Sequence, residues 1–262
     1  MRNILIAICG VGLQLIAPIK GNAQAIELKP APLNIAIDGN LSEWGDQLPY
    51  SDKKNSFSYL ISNDRNNLYL VVKTKDSVCQ GNILGSGITL ALSTNNPKIS
   101  QKITFPLKGK EDPSAYMDLD DEQVASKTPL ARYKRIGVQN VKNIKAQQLS
   151  TTNPYGIKVA VGYTEEGYMT YEEAIPLSLL YPEGIIEKCV YRLKINALVR
   201  KVYYLGLTEV VFTGKNRLEQ LNYYIATTYH GYLDMWGPTP SNDYEDKLTA
   251  DIEVKGEFVI AK

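Results

Sequence analysis

Residues 67–75 read NLYLVVKTK, and this stretch decides the fold class. In a β-strand, successive side chains point to opposite faces. Leu68, Leu70 and Val72 therefore share one face, and the residues between them share the other. The apolar set Leu68, Leu70 and Val72 is expected to face inward and the alternate set outward. A strand with one buried face predicts a sheet that packs against a second layer.

The same period of two recurs along the chain in short runs separated by Gly, Pro, Asn and Asp. Helical periodicity is brief, with single turns predicted at Ser42–Asp46, where Ser42 is the N-cap, at Asp118–Ser126 and at Pro176–Leu180. Many short strands with few helices predict an all-β protein, an antiparallel β-sandwich with a few short helical turns. Further strands are predicted at Asn34–Ile37, Ser56–Ser62, Gly87–Leu92, Lys102–Pro106, Lys145–Leu149, Gly156–Tyr163, Tyr168–Ile175, Tyr191–Arg200, Tyr203–Leu207, Asn222–Thr227 and Asp251–Val259.

The domain organisation follows from length and composition. The chain has 262 residues, of which 44% are hydrophobic, enough to bury a sizeable core. No linker or internal repeat divides it, so residues 26–262 are predicted to form one sandwich domain. Long loops are expected near residues 108–143, which are polar and poorly periodic, and near residues 229–247.

The first 25 residues carry the features of a secretory signal peptide. Arg2 supplies a positive start, Ile4–Ala17 is largely apolar, and Ala23-Gln24-Ala25 is a small-x-small cleavage site. The apolar run is shorter than the roughly 20 residues that span a bilayer. We therefore expect cleavage near Ala25, a secreted or periplasmic product, and no transmembrane anchor.

Charge excludes one class of partner. The chain has 29 Lys and Arg against 28 Asp and Glu, which gives a formal net charge of +1. Loss of Arg2 and Lys20 with the signal peptide changes this to −1. A nearly neutral protein lacks the basic excess that nucleic-acid binding needs, so nucleic acid is not an expected partner.

Two cysteines remain after the predicted cleavage, Cys79 and Cys189. An oxidising compartment permits a disulfide between them. Two buried thiols are the equally weighted alternative, because the sequence does not fix the distance between their Cα atoms.

Four blocks of sequence occur in an order found in a known family. They are Ile37–Trp44 (IDGNLSEW), Asn67–Asp76 (NLYLVVKTKD), Gly85–Leu92 (GSGITLAL) and Tyr171–Leu177 (YEEAIPL). In this order they resemble the family 9 carbohydrate-binding modules and their DOMON-like relatives. The resemblance runs from Ile37 to about Leu180, which is most of the predicted mature chain.

The resemblance implies a β-sandwich that binds a glycan or a sugar terminus without catalysis. Within the first block, Trp44 is expected to be a structural anchor rather than a ligand contact. In the third block, the family often has an aspartate where this chain has Ser86 or Gly87. That departure weakens the case for a metal site at this turn.

Aromatic side chains near the C-terminus are the predicted sugar site. Flat rings cover the apolar faces of a pyranose, and neighbouring polar groups satisfy its hydroxyls. Packing in the core is the alternative for each ring. The predicted ligand-binding residues are Trp236, Tyr232, Tyr229, His230 and Asn222.

Glu172 and Glu173 are adjacent and could be mistaken for a catalytic pair. Neighbours on a strand point apart, so they cannot flank one glycosidic bond. One is expected to be packed or paired and the other solvated. His230 is the single histidine, and no Gly-x-Ser-x-Gly elbow accompanies it, so a serine hydrolase has little support. The sequence therefore predicts a protein that is not an enzyme.

No cofactor is predicted, although two groups of residues are candidate sites for one. An acidic cluster at Asp118, Asp120, Asp121 and Glu122 is either a solvated turn or a loose calcium site. Some DOMON-like proteins hold haem, for which the candidate ligands would be Met117, Met169, Met235 and His230. The haem hypothesis is disfavoured, because methionine in a β protein usually fills the core.

A second function from another class remains open. The sandwich could serve as an envelope interaction or scaffold protein without a sugar site, its long loops contacting another protein. Exposed rings around a concave patch would favour sugar, whereas a broad flat apolar patch would favour a protein partner.

Overall fold

A computed structural model describes residues 26–45, 48–52, 57–93, 100–108, 133–180, 188–197, 200–204, 208–212 and 250–260. Across these ranges the chain is mostly β, with two short α-helices and a 3₁₀ turn at Ser42–Trp44. The elements in chain order are β1 (Ile26–Glu27), β2 (Tyr50–Asp52), β3 (Phe57–Asn63), β4 (Asn67–Thr74), α1 (Ser77–Ser86), β5 (Ile88–Ser93), β6 (Gln101–Phe105), β7 (Arg135–Gln139), β8 (Gln148–Ser150), β9 (Lys158–Tyr163), β10 (Met169–Pro176), α2 (Leu177–Leu180), β11 (Cys189–Ile195), β12 (Arg200–Tyr204), β13 (Thr208–Phe212) and β14 (Ile252–Val259).

The strands form two main sheets. One has seven strands in the order β1-β14-β11-β5-β6-β7-β8, and the other has five in the order β2-β3-β4-β10-β9. Strands β12 and β13 form a separate pair. Neighbouring strands are antiparallel throughout, except that β1 runs parallel to β14. The predicted all-β, antiparallel β-sandwich class is confirmed.

The main core lies between the two sheets. Leu68, Leu70 and Val72 of β4 are buried there, as their alternation predicts. A hydrogen bond within this core joins the sheets, because the Tyr59 hydroxyl of β3 lies 3.0 Å from the Tyr191 hydroxyl of β11. A buried hydroxyl needs a hydrogen-bond partner, and this pair supplies one to each hydroxyl across the space between the two sheets.

A second, smaller core covers the other face of the five-stranded sheet. Leu41, Trp44 and Leu48 pack there against Tyr69 and Val71 of β4. The expectation that this face of β4 points outward is therefore wrong for Tyr69 and Val71, which are 5% and 0% exposed. Residues 31–45 together with Leu48, called here the covering segment, act as a third layer on this face. Because the main core covers the other face, both faces of the sheet are buried at this point.

That covering segment is not a strand where one was predicted. Residues Asn34–Ile37 have no strand assignment, and Asn34 has a φ of 61°, which no extended strand adopts. The 3₁₀ turn follows at Ser42–Trp44, but Leu41 occupies its N-cap position and makes no side-chain cap. Ser42 is thus inside the turn, and the predicted cap is wrong.

Helix α1 was not predicted. It begins after Asp76, whose Oδ1 accepts a hydrogen bond from the Cys79 backbone N–H at 2.9 Å. Its last residue is Ser86, and Gly87 follows with a φ of 81°. Residues 78–85 are all buried, so the helix has no polar stripe and shows no helical period in the sequence. The two capping residues were the only local signal, because aspartate is a favoured residue at the N-cap and glycine commonly follows the last turn of a helix.

Other boundaries also differ from the prediction. Strand β7 lies inside residues 108–143, which were expected to be loop, and β13 was not predicted. The predicted strand Tyr191–Arg200 divides into β11, which ends at Ile195, and β12, which begins at Arg200. The predicted signal peptide, the turn at Asp118–Ser126, the strand at Asn222–Thr227 and the loop at 229–247 lie outside the described residues.

Pro176 ends β10 and α2 follows directly at Leu177–Leu180, close to the predicted turn. In the portion of the chain that the structure covers, neither helix has the length and hydrophobicity of a bilayer-spanning segment.

Candidate functional site

The outer face of the seven-stranded sheet forms a hollow of about 590 Å³, called here the outer hollow. Side chains from β14, β11, β5, β6 and β7 line it. These strands are neighbours in the sheet but come from distant parts of the sequence. The surface is polar, with hydroxyl, amide and charged groups together in one concavity.

Alternation along the strands positions these groups. On β11, Tyr191 and Leu193 are buried in the main core, so Arg192 and Lys194 point to the opposite, outer face. On β5, Leu90 and its alternates face the core in the same way, which leaves Thr89, Ala91 and Ser93 outside. The core pattern therefore dictates which side chains line the outer hollow.

One row crosses the centre of the outer hollow. The strand register pairs Arg192 with Ala91 and Ala91 with Lys102. On one side Arg192 pairs with Lys255, and on the other Lys102 pairs with Gln139. Because neighbouring strands are about 4.8 Å apart, the backbones of Arg192 and Lys102 lie roughly 10 Å apart across Ala91. Ala91 is thus a small floor between two long cationic side chains.

Acidic side chains occupy one end of the outer hollow. Lys194 Nζ lies 3.2 Å from Asp251 Oδ2, and Lys255 Nζ lies 2.8 Å from Glu253 Oε1. Arg192 Nη1 is 3.6 Å from the other oxygen of Glu253, beyond hydrogen-bond distance. The hollow has four basic side chains, Lys102, Arg192, Lys194 and Lys255, against two acidic ones, and its net charge is +2.

Hydroxyl groups lie in the adjacent row. Thr89 of β5 and Thr104 of β6 share a hydrogen bond of 2.8 Å between their Oγ1 atoms. The Asn196 amide donates to the Thr89 hydroxyl at 2.9 Å and to the Gly87 carbonyl at 2.8 Å. These bonds hold the hydroxyls in fixed positions beside the cationic row.

The residues predicted to bind sugar are not among those that the structure describes. Trp236, Tyr232, Tyr229, His230 and Asn222 all lie outside the described ranges. So do the acidic cluster near Asp118 and the methionines Met117 and Met235. Within the described part of the chain, the only aromatic residue in the lining of the outer hollow is Tyr191, whose ring is buried in the core. The outer hollow was not predicted, although polar residues at alternate positions of β5, β11 and β14 are the signal for it.

Met169, another candidate haem ligand, is 1% exposed and packs in the main core. Side chains in such a core fill space, which is the usual role of methionine in a β protein. Across the described ranges, no three His, Cys, Asp or Glu side chains are grouped so that they could hold a metal ion.

Glu172 and Glu173 do point apart, but the expectation that one is solvated is wrong, since both are 0% exposed. Glu172 faces the covering segment and accepts hydrogen bonds from the backbone N–H groups of Asp38 and Gly39 at 3.1 and 2.7 Å. The indole N–H of Trp44 donates to its other oxygen at 2.7 Å. Burial raises the pKa of Glu172, while these three donors act in the opposite direction.

Glu173 faces the main core. Its Oε2 accepts a hydrogen bond from the Tyr171 hydroxyl at 3.1 Å, and its Oε1 has no partner in the part of the chain described. Burial raises the pKa of Glu173 to about 8, so the carboxyl is protonated at neutral pH. The two acids occupy opposite faces of the sheet and do not form a catalytic pair.

A half-buried ring at the turn between β9 and β10 is a second candidate surface. The ammonium groups of Lys73 and Lys75 lie 4.7 and 5.4 Å from the ring centroid of Tyr168. A ring that already contacts two cations through its π system offers less free face for stacking on a sugar. The outer hollow is therefore the better candidate site.

Cys79 and Cys189 are both buried thiols and do not form a disulfide with each other. Of the two alternatives given by the sequence, a disulfide or two buried thiols, the structure has the second. Burial raises the pKa of Cys79 to about 12, so this sulfur is a weak nucleophile at neutral pH.

Comparison with models of known protein families finds no match, and no curated protein is detectably similar to the chain.

Proposed function

We propose that this protein is exported and binds a glycan without catalysis, and that the outer hollow is its binding surface. The observation that carries the proposal is a wide concavity on the outer face of a sheet, where hydroxyl, amide and charged groups converge. Sugars present many hydroxyls to such groups, and positioned polar groups give binding sites their specificity. The resemblance to family 9 carbohydrate-binding modules supports the same function by analogy.

The covering segment adds support to that analogy. Two of the blocks that carry the resemblance, Ile37–Trp44 and Tyr171–Leu177, meet through Glu172, Gly39 and Trp44. Their residues therefore share a structural role, consistent with a common sandwich design. The predicted anchoring role of Trp44 fits its burial at 8% exposure.

A protein partner is the rival function. Among the described residues, Leu33 is the one large hydrophobic side chain that is strongly exposed, at 89%. A single exposed leucine does not make the broad apolar patch that a protein interface would present. The described part of the chain therefore offers no apolar surface in support of the rival.

Export is part of the proposal. The predicted cleavage near Ala25 would leave Ile26, the first residue of β1, which pairs with Phe258 of β14. Such cleavage removes the predicted signal peptide and keeps the edge strand intact. N-terminal sequencing of protein recovered from the periplasm or medium should begin near Ile26; a chain that retains Met1 would contradict export.

A panel of immobilised neutral and acidic polysaccharides tests the function. The purified protein should be retained on at least one of them. Two variants then locate the site: Ala91→Trp fills the floor of the outer hollow, and Trp236→Ala removes the ring that sequence reasoning favoured. Loss of retention in Ala91→Trp, with an unchanged melting temperature, supports the outer hollow. Loss in Trp236→Ala alone moves the site to the C-terminal rings, and no retention on any glycan overturns the function.

A further inference from the structure

We propose that the outer hollow recognises an acidic sugar, one that carries a carboxylate or sulfate group, and that this anion sits over Ala91 between Arg192 and Lys102. The inference rests on the proposed glycan-binding function and narrows its ligand class. It is carried by the arrangement of charge in the outer hollow.

The cations of the outer hollow are incompletely neutralised. Asp251 is 3.2 Å from Lys194 and also accepts a hydrogen bond from the backbone N–H of Ala197 at 2.8 Å, so it is fully engaged at the rim. Glu253 is shared by two cations, Lys255 and Arg192. One carboxylate cannot compensate two cations, so positive charge remains in the row that crosses the hollow.

The remaining charge is concentrated at the floor. Arg192 is 3.6 Å from Glu253, which leaves its guanidinium N–H groups without a hydrogen bond to that acid. Its side chain is 55% exposed. On the other side of Ala91, Lys102 is half-buried and pairs with no acidic side chain in the described ranges. The two cations flank one small residue, where an anion would be in reach of both.

The chemistry of these two side chains suits an acidic pyranose. The planar guanidinium of Arg192 fits a carboxylate or sulfate in a bidentate manner, and Lys102 adds a point charge. The adjacent Thr89 and Thr104 hydroxyls and the Gln139 amide would then face the sugar hydroxyls. A neutral sugar could use the hydroxyls alone and would leave the cationic pair unused.

Polygalacturonate and its fully methyl-esterified form test the inference, because esterification removes the charge and keeps the sugar backbone. Binding is measured by calorimetry and by retention in affinity gels at low salt. We expect polygalacturonate to bind at least about tenfold more tightly than the ester, the effect of one charge-assisted contact. Raising the salt to about 0.5 M should abolish that preference, because ions screen exposed charges.

Two variants locate the effect. Lys102→Gln removes a cation from the outer hollow, and Lys158→Gln makes the same change at an exposed position on β9 of the other sheet. Lys102→Gln should lower the affinity for polygalacturonate about tenfold and lower the affinity for the ester by a much smaller factor, because only the charged ligand loses an ionic contact. Lys158→Gln should change neither.

The outcomes separate the two proposals. Equal affinity for polygalacturonate and its ester, or equal loss in both variants, overturns the acidic ligand and leaves glycan binding standing. A polysaccharide that carries sulfate but no carboxylate, κ-carrageenan, serves as a second probe: preference for it over polygalacturonate assigns the anion as sulfate and supports the inference. No binding of these three probes or of the neutral panel overturns the glycan-binding function itself.

Discussion

The indole N–H of Trp44 donates a hydrogen bond of 2.7 Å to the buried carboxylate of Glu172, 128 residues further along the chain. The same carboxylate accepts the backbone N–H groups of Asp38 and Gly39. This clamp attaches the covering segment to the five-stranded sheet. A buried carboxyl group with three N–H donors is stable only while those donors stay in place.

Removing the indole donor should loosen the clamp. Trp44→Phe keeps an aromatic ring in the small core but leaves Glu172 one donor short. We expect the free energy of unfolding to fall by about 2 kcal/mol, the range for a hydrogen bond to a charged group. Urea unfolding measures it. In a Glu172→Gln background, Trp44→Phe should lower the free energy of unfolding by a smaller amount. An equal decrease in both backgrounds would show that the hydrogen bond to Glu172 has no part in the effect.

The turn at Gly39 requires a second glycine opposite it. A Cβ at Gly162 would lie 2.3 Å from the carbonyl oxygen of Gly39, and that oxygen also accepts the Thr170 hydroxyl. Gly162→Ala should therefore force the covering segment away and lower the free energy of unfolding by about 2 kcal/mol. Gly167→Ala is the control, because nothing lies within 4 Å of its Cβ position. Only the left-handed φ of Gly167 would cost stability, about 1 kcal/mol, so an equal loss in both variants would contradict the steric explanation.

Glu173 should make the protein less stable as the pH rises. Its pKa is about 8 in the folded chain and near 4.5 in the unfolded chain, so the unfolded state loses this proton first. The stabilising contribution is complete below about pH 4.5 and is lost as the pH rises through about 8. Glu172 also has a raised pKa and adds to the same trend.

Glu173→Gln tests this assignment. The amide cannot ionise, so the slope of unfolding free energy against pH between about 5 and 7.5 should become shallower by up to ~1.4 kcal/mol per pH unit. The variant should gain stability over the parent toward pH 7.5. Parallel curves for parent and variant would mean that Glu173 does not hold its proton in the folded state.

The buried thiols should be protected from reagents. Cys79 and Cys189 are each 0% exposed. We expect the native protein to react slowly with a chromogenic disulfide reagent and the urea-unfolded protein to expose two thiols at once. A reducing agent should leave the melting temperature unchanged. A fall in melting temperature on reduction would instead indicate a disulfide that stabilises the fold.

Period-two alternation predicted the all-β class and most of the central strands, although it missed β7 and β13 and predicted a strand at Asn34–Ile37 where none forms. In β4, Leu68, Leu70 and Val72 face the main core as predicted, and β10 ends at Pro176 as its missing N–H requires. Alternation is local, so it can be read from one segment at a time. Helix α1 was not predicted, because a helix that is buried on all sides has no alternation of apolar and polar residues at the helical period.

The tertiary structure decided what covers each face and which side chains meet. Tyr69, Val71 and Glu172 point away from the main core, as alternation requires, yet the covering segment buries them. The outer hollow brings Lys102 and Arg192 to either side of Ala91 through two strand pairings. Strand order and register depend on packing between segments that lie far apart in the sequence, so the pattern of one segment by itself does not determine which side chains become neighbours.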